Sequence, residues 1–261
     1  FVKKGTCSRT LFYILNREYD NPLEEEEMAT DTLAGGIMQH GFQCGLLFGA
    51  VMGVGSEAYH RNNDLKKSIP ISLEISQLVE KDFKDLAGSP DCVDITEINF
   101  TSGKQMAKFM FSGKFISCFK LADKWAPRAI NILEEAFAEE EEREEVDIQS
   151  CASLTLKQMG ASEREQAIVA GLAGGVALSA NACGALSAAI WFRTLQTVRE
   201  GVQPGLKNPE GQKVLDAFLE ETDYEFLCSN ICGKNFKSPK EHSTYLENKG
   251  CKKLIDVLSK S

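Results

Sequence analysis

The chain has 261 residues, which is enough for one large domain or for two units of ~130 residues that each bury a core. Hydrophobic residues make up 43% and charged residues 26%, as in ordinary globular proteins. The net charge of −9 argues against binding to nucleic acid, which selects for basic surfaces, and nine cysteines are too few for a disulfide scaffold.

The first marked helix start is "NPLE", residues 21–24. Asn21 can cap the helix, Pro22 suits the first helical position, and Glu24 can reach back to the cap. The Gly-Gly pair at 35–36 should end this helix, because glycine permits a left-handed termination. A new helix should begin near Cys44-Gly45.

The helix after Cys44 has a regular glycine pattern. Gly45, Gly49 and Gly53 lie four residues apart and share one face, where the lack of side-chain bulk lets another backbone or a ligand come close. Strand-like runs are few, and the best is "FISCF" at 115–119. Together these patterns predict an all-α fold.

A glutamate-rich run at 134–147 separates two similar parts of the chain. We expect a solvated helix end or linker there, and we place a boundary near Glu144, between units 1–143 and 144–261. The second unit repeats the signals of the first. A capping box at Ser162–Glu165 starts a helix, the Gly-Gly pair at 174–175 ends it, and another helix begins near Cys183-Gly184.

Two segments of the chain repeat each other at a constant offset of 139 residues. "LAGGIMQHGFQCGLLFG" begins at Leu33, "LAGGVALSANACGALSA" begins at Leu172, and both keep a Cys-Gly pair in register. Further on, "CVDITEINFTS" at 92–102 aligns with "CSNICGKNFKS" at 228–238. We interpret the chain as a tandem duplication of a helical four-cysteine unit, packed as a pseudo-dimer. The helices at 44–59 and 183–196 are expected to pack on each other across an approximate two-fold axis.

One stretch is similar to a membrane span, since residues 167–192 carry no charge and are long enough to cross a bilayer. It contains glycine, serine and asparagine, however, and its counterpart in the first unit carries His40, Gln43 and Glu57. Two buried helices joined at the glycine pair fit both copies better. We therefore expect no membrane span.

Each unit contains four cysteines in the same order. They are Cys7, Cys44, Cys92 and Cys118 in the first unit and Cys151, Cys183, Cys228 and Cys251 in the second. Four thiolates are the ligand complement of a [2Fe–2S] or [4Fe–4S] cluster and equally of a structural zinc site, although no C-x2-C motif is present. A dithiol that works without metal would use the same residues. Cys232 is left over, opposite Thr96, and we interpret it as a buried apolar filler.

The Cys-Gly pairs have a mechanism of their own. A cysteine at a helix N-terminus has its thiolate stabilised by the helix dipole and by free amides, which can also donate to cluster sulfurs. The following residues, Gly45 and Gly184, would leave room for an inorganic sulfide against the backbone, so we assign them to the cofactor site. The same geometry would lower the pKa of a redox dithiol.

The order Cys, Gly-Gly, Cys-Gly, Cys, Cys, present twice, resembles the C_GCAxxG_C_C family of redox-active proteins. The second unit is the more similar, with "CGA" at 183–185, whereas Leu46 and Ala188 depart from the family's motif. The resemblance implies a redox role beside oxidoreductases and transporters in anaerobic bacteria and archaea. A related module of split-Soret cytochromes implies a [2Fe–2S] cluster bound by the four cysteines of each unit.

We therefore predict a redox protein that binds one iron–sulfur cluster per unit and exchanges electrons with a partner oxidoreductase. The alternatives are a metal-free dithiol/disulfide protein and a structural zinc module with four cysteine ligands. No catalytic residue is assigned, and whether the protein is an enzyme stays open. Whether it forms a homo-oligomer also stays open. We expect a cytoplasmic protein, with export left open because the chain begins at Phe1 rather than Met.

Overall fold

The computed structural model describes residues 5–111, 113–139 and 147–261, which form fourteen α-helices. Within these ranges, extended backbone pairs only as two isolated bridges, Gln43–Asp91 and Ala182–Leu227. The prediction of an all-α fold is confirmed. No helix in the described part of the chain is both long enough and apolar enough to cross a bilayer.

The helices follow the same order in the two units. Those of the first are α1 (Cys7–Glu18), α2 (Glu24–Ala29), α3 (Gly45–Asn62), α4 (Leu65–Ala87), α5 (Cys92–Thr96), α6 (Gly103–Phe111) and α7 (Lys114–Ala138). Those of the second are α8 (Cys151–Gln158), α9 (Glu163–Ile168), α10 (Gly184–Arg199), α11 (Pro209–Glu221), α12 (Cys228–Cys232), α13 (Pro239–Glu247) and α14 (Lys252–Lys260). A 3-10 helix follows α2 at Thr30–Leu33, and another follows α9 at Ala170–Leu172. This parallel order supports the duplication, which remains our interpretation, and the proposed boundary near Glu144 lies outside the described residues.

The two predicted capping signals have different outcomes. The helix expected from Asn21 begins only at Glu24, with Leu23 as its cap residue. The Leu23 amide donates to the Glu27 carboxylate at 3.2 Å, and the Asn21 side-chain nitrogen donates to Ser56 Oγ of α3 at 3.1 Å. The capping box of α9 is present as predicted. The Ser162 hydroxyl accepts from the Glu165 amide, and the Glu165 carboxylate accepts from the Ser162 amide at 2.6 Å.

The strand-like run at 115–119 forms no strand and lies inside α7. Phe115 and Phe119 are one helical turn apart, and their rings pack edge to face with centroids 5.8 Å apart. A single short strand would have no partner in an all-α unit. The aromatic spacing therefore serves the helix.

The turn after each 3-10 helix is left-handed over five consecutive residues. Residues 35–39 and 174–178 all have positive φ angles. The glycine pair that opens each turn accepts this conformation, but each of the three residues that follow is strained by about 1–2 kcal/mol. Burial opposes the strain, because Ile37 and Val176 are fully enclosed and an enclosed aliphatic side chain contributes roughly 1.5–3 kcal/mol. The two turns thus have a defined shape shortly before Cys44 and Cys183.

The two units pack on each other reciprocally, through different helices from those expected. In the first unit α3 lies against α9 and its 3-10 helix, and in the second α10 lies against α2 and its 3-10 helix. Because α2 and α9 hold corresponding places, the interface is self-complementary, as in a two-fold dimer. The main partners of α3 and α10 across the interface are these elements rather than each other. One apolar core extends through both units and includes Trp125 and Trp191.

Helix packing explains the glycines of α3. A Cβ at Gly49 would overlap the backbone of α1, and one at Gly53 would lie 2.5 Å from the Leu15 side chain, which also belongs to α1. A Cβ at Gly55 would overlap the Ala167 carbonyl in the second unit. Neighbouring parts of the protein, rather than a ligand, therefore approach these glycines.

A buried charge network crosses the interface. Glu26 of α2 and Glu165 of α9 are both buried. Arg199, the last residue of α10, pairs with Glu165 at 2.6 Å and with Glu26 at 3.5 Å, and Arg164 pairs with Glu26 at 2.8 Å. These arginines are needed because an unpaired buried carboxylate costs several kcal/mol.

Candidate redox centres

Four cysteines of the first unit converge on one place, although each belongs to a different helix. We call Cys7, Cys44, Cys92 and Cys118 the first thiol group. Cys7 and Cys92 are the first residues of α1 and α5, Cys44 caps α3, and Cys118 lies inside α7. The other three thiols all raise the pKa of Cys44, and those three act on one another in the same way, so the four lie within electrostatic range of one another.

Backbone hydrogen bonds bring the second and third cysteines of each unit together. The amides of Cys44 and Cys92 each donate to the opposite segment, both at 2.7 Å. The corresponding amides of Cys183 and Cys228 do the same at 2.9 and 2.8 Å. The two isolated bridges of the fold lie at these points, so their role is to place cysteines.

The second unit brings together five cysteines rather than four. We call Cys151, Cys183, Cys228, Cys232 and Cys251 the second thiol group. Cys232 Sγ lies 3.8 Å from Cys228 Sγ and 3.5 Å from Cys251 Sγ. The thiols of Cys151 and Cys183 act electrostatically on Cys228 and Cys251, which places them in the same neighbourhood.

The part played by Cys232 was missed in the sequence. The structure corrects its interpretation as a buried filler, because it is only half-buried and its sulfur lies between two others. The C-x3-C spacing of α12 is the signal that could have found it, since residues four apart share a helix face. In the first unit Thr96 takes this position, and its hydroxyl donates to the Cys92 carbonyl at 2.7 Å.

Burial keeps the thiols of the first group protonated. It is the main cause that raises the pKa of Cys118 to about 11 and the pKa values of Cys44 and Cys92 well above the usual value for a thiol. Burial also raises the pKa of Cys7, and the nearby Asp31 carboxylate adds to this effect. Four thiolates in this place therefore require a positively charged partner.

Backbone amides point at the sulfurs of both groups from corresponding positions. The Gly35 amide donates to the sulfur of Cys7 and the Gly174 amide to that of Cys151, which in each case lowers the thiol pKa against the effect of burial. The Leu46 amide acts in the same way on Cys44. The two glycines open the left-handed turns, so the turns direct N–H groups at sulfur.

In the second group the thiols differ from one another. Burial raises the pKa of Cys151 to about 12 and that of Cys183 to about 11. The pKa values of Cys228 and Cys251 are raised because each donates its S–H to Cys232. These two bonds lower the pKa of Cys232.

The glycines assigned to the cofactor site adjoin protein atoms. A Cβ at Gly45 would overlap Cys7 Sγ, and one at Gly184 would overlap the Leu172 carbonyl. Gly45 thus allows the Cys7 thiol to come close to the start of α3. Gly184 allows the Leu172 backbone to come close to the start of α10. Their place beside an inorganic sulfide stays a prediction.

Within the described ranges, no group of three or more His, Cys, Asp or Glu side chains is placed to hold a single metal ion. A zinc site made of four cysteines needs all four sulfurs about 2.3 Å from one point. The thiolates of an iron–sulfur cluster bind more than one iron atom and need not surround a single point. In type and number, the donors of both groups fit such a cluster.

Gln43 connects the two candidate centres. Its amide nitrogen donates to the carbonyls of Gly175 at 3.1 Å and Ala182 at 3.0 Å, in the other unit. Gln43 directly precedes Cys44, and Ala182 directly precedes Cys183. The loops that carry these two cysteines are therefore in contact across the interface.

Residues 6–157 match the model of a family described as "Putative redox-active protein (C_GCAxxG_C_C)". The match covers more than half of the chain and every cysteine of the first thiol group. The chain belongs to the C_GCAxxG_C_C family. Beyond residue 157, its relation to this redox-active family rests on the internal repeat. No curated protein and no solved structure matches this C_GCAxxG_C_C protein significantly.

Proposed function

We propose that the protein transfers electrons to or from a partner oxidoreductase through iron–sulfur clusters, one per unit and of the [2Fe–2S] type. The ligands are Cys7, Cys44, Cys92 and Cys118 in the first unit and Cys151, Cys183, Cys228 and Cys251 in the second. One observation carries the proposal. Four helices of the first unit bring together four thiols, two buried and two half-buried, and burial is the main cause that raises the pKa of each.

Burial favours metal binding over metal-free thiol exchange in the first group. The thiolate is the nucleophile in such exchange, and reactive cysteines are exposed with a lowered pKa. Cys44 and Cys92 are instead buried, with raised pKa values. A metal centre removes this obstacle, since thiolates are its ligands and its binding displaces their protons.

A bound cluster would supply one-electron transfer, and the chain's own residues would hold and tune it. The convergent helices fix the thiols in place and bury those of Cys44, Cys92, Cys151, Cys183 and Cys228. The amides of Gly35 and Gly174 donate to sulfur, and hydrogen bonds of this kind shift a cluster's reduction potential.

Iron and sulfide analysis of anaerobically purified protein tests the proposal. We expect brown protein, and we expect Cys44→Ser and Cys183→Ser each to remove about half of the bound iron, because each breaks one of two sites. Cys232→Ser is the matched control. It also changes the second thiol group but lies outside the ligand set, so it should keep the full iron content.

The other outcomes separate the alternatives. Unchanged iron in both Cys44→Ser and Cys183→Ser would show that the ligand assignment is wrong. Colourless protein with bound zinc would indicate the structural zinc module. Colourless protein with neither metal would indicate metal-free dithiol chemistry.

A further inference from the structure

The second thiol group lies beside a surface pocket of about 490 Å³ that Cys251 helps to line. The wall of the pocket carries lysines at 249, 252 and 253 and carboxylates at 221, 223 and 225. Its volume is in the range of small-molecule sites. Lys253 pairs with Glu221 at 2.9 Å and Lys252 pairs with Asp256, so Lys249 and Asp223 are the wall charges that can meet a ligand. One charge of each sign favours a small molecule that has both carboxylate and ammonium groups.

Cys251 has a thiol neighbour within reach. Its Sγ lies 3.5 Å from Cys232 Sγ, and a disulfide would require the two sulfurs to approach by about 1.5 Å. Cys232 is the last residue of α12 and Cys251 precedes α14, so neither lies inside a long helix, in contrast to Cys118 in α7.

Two further observations single out this pair. Cys251 has a φ of 57°, a strained conformation for a residue other than glycine, and such strain concentrates at functional positions. Cys228 is the other neighbour of Cys232, at 3.8 Å, but it is buried. Of these three cysteines Cys251 alone lines the pocket, so it is the one that meets a ligand, and Cys232 is its partner thiol.

We infer that Cys232 and Cys251 form a thiol–disulfide exchange site that reacts with the disulfide of a small zwitterionic thiol bound in this pocket. Cys251 passes its S–H proton to Cys232, and the resulting Cys251 thiolate attacks one sulfur of the bound disulfide. A mixed disulfide forms, and the first small thiol leaves with that proton, which returns Cys232 to the thiolate. The Cys232 thiolate then attacks the Cys251 sulfur, and the second small thiol leaves and takes a proton from water. One external disulfide is reduced, and one Cys232–Cys251 disulfide is formed.

This exchange has a consequence that rests on the proposed function. Cys251 is one of the four ligands proposed for the second unit, so its oxidation would remove one ligand and release that unit's iron. The first unit has Thr96 in place of the fifth thiol and would keep its iron. Small disulfides would thus control the second centre alone.

Oxidised glutathione added to full-length protein purified without iron is the test, with disulfides mapped by alkylation and mass spectrometry. We expect two of the nine thiols to be lost, joined as Cys232–Cys251. Cys232→Ser should stop at a mixed disulfide on Cys251, and Cys251→Ser should remain unmodified. Cys118→Ser, changed at the matching position of the first unit, should react as the wild type does.

The pocket is tested separately from the sulfurs. Lys249→Ala should slow the reaction with oxidised glutathione roughly fivefold, as expected for the loss of one exposed ion pair. The rate of the reaction with 2-hydroxyethyl disulfide, which is uncharged, should not change. A disulfide between Cys228 and Cys232, or an unmodified Cys251 in Cys232→Ser protein with wild-type circular dichroism, would overturn the inference. These results do not depend on iron. Iron analysis can therefore refute the proposed clusters without affecting the exchange site, and these experiments can refute the exchange site without affecting the clusters.

Discussion

Replacing His242 should change how the stability of this protein depends on pH. His242 is buried in α13, with its ring packed edge to face against Phe236 at a centroid distance of 4.9 Å. Burial lowers its pKa from 6.5 to about 4, against a smaller opposing effect from the backbone of Gln149. The unfolded chain therefore binds a proton more readily than the folded one between these two pH values.

The size of the effect follows from this shift. A difference of about 2.5 pH units corresponds to a contribution of about 3 kcal/mol, present above pH 6.5 and lost as the pH falls through about 4. Between pH 7.5 and pH 4.5 the loss amounts to about 2.5 kcal/mol. For a chain of this length that is a fall of about 5–10 °C in the unfolding temperature.

His242→Gln replaces the ring N–H with an amide N–H donor that cannot titrate. Thermal unfolding of the wild type and the variant from pH 4.5 to 7.5 therefore measures the contribution of His242 to stability. We expect the variant to be less sensitive to acid than the wild type by about 2.5 kcal/mol, whatever its stability at pH 7.5. The comparison uses the slope, so a uniform loss of stability in the variant does not affect it. Parallel pH profiles would refute the assignment of a neutral, buried His242.

Asp31→Asn should make the protein more sensitive to acid than the wild type, the opposite of the effect of His242→Gln. Burial raises the pKa of Asp31 to about 6, so the stabilising contribution of Asp31 is present below pH 4 and is lost as the pH rises through 6. A plot of stability against pH with the slope of the wild type would contradict this. Arg199→Met should lower the free energy of unfolding by about 3–5 kcal/mol, because it leaves the buried Glu165 carboxylate without its arginine. Arg164→Met should lower it by less, because Glu26 keeps Arg199 as a partner. Chemical denaturation measures both changes. Gly55→Ala should destabilise the chain by about 1–3 kcal/mol, since the added methyl would overlap backbone of the second unit. Gly103→Ala, where nothing lies within 4 Å, is the matched control, and equal unfolding midpoints for these two variants would be the contrary result.

Features with local causes were predictable from the sequence. The capping box at Ser162 needs only residues within one helical turn, and it is present. Cys44 and Cys183 stand directly before helices, as expected, because the glycine-rich segments ahead of them end the preceding helical turns. The constant register of the repeat indicated which cysteines occupy corresponding places in the order of elements.

Features with distant causes were not predictable in this way. Asn21 is not the cap residue of α2, and its side chain instead donates to Ser56, far along the chain. The contact between Cys232 and Cys251 depends on how α12 meets the turn before α14, which no spacing in the sequence specifies. The same holds for α3 and α10, whose glycine and alanine content indicates close packing but not the identity of the partner.

The hydrogen bonds of Gln43 bear on which units can pair with which. In our interpretation of the chain as a tandem duplication, a residue that contacts its own counterpart lies on the pseudo-two-fold axis, and Gln43 contacts Ala182, which it matches in the repeat. Two first units would bring two buried glutamines to that point, where the present chain has room for one beside an alanine. Two second units would leave the Ala182 carbonyl without its Gln43 donor, at about 1–3 kcal/mol for the unsatisfied group, whereas the Gly175 carbonyl would keep its bond from Ser179. The contacts of Gln43 therefore favour pairing of a first unit with a second unit over pairing of two identical units.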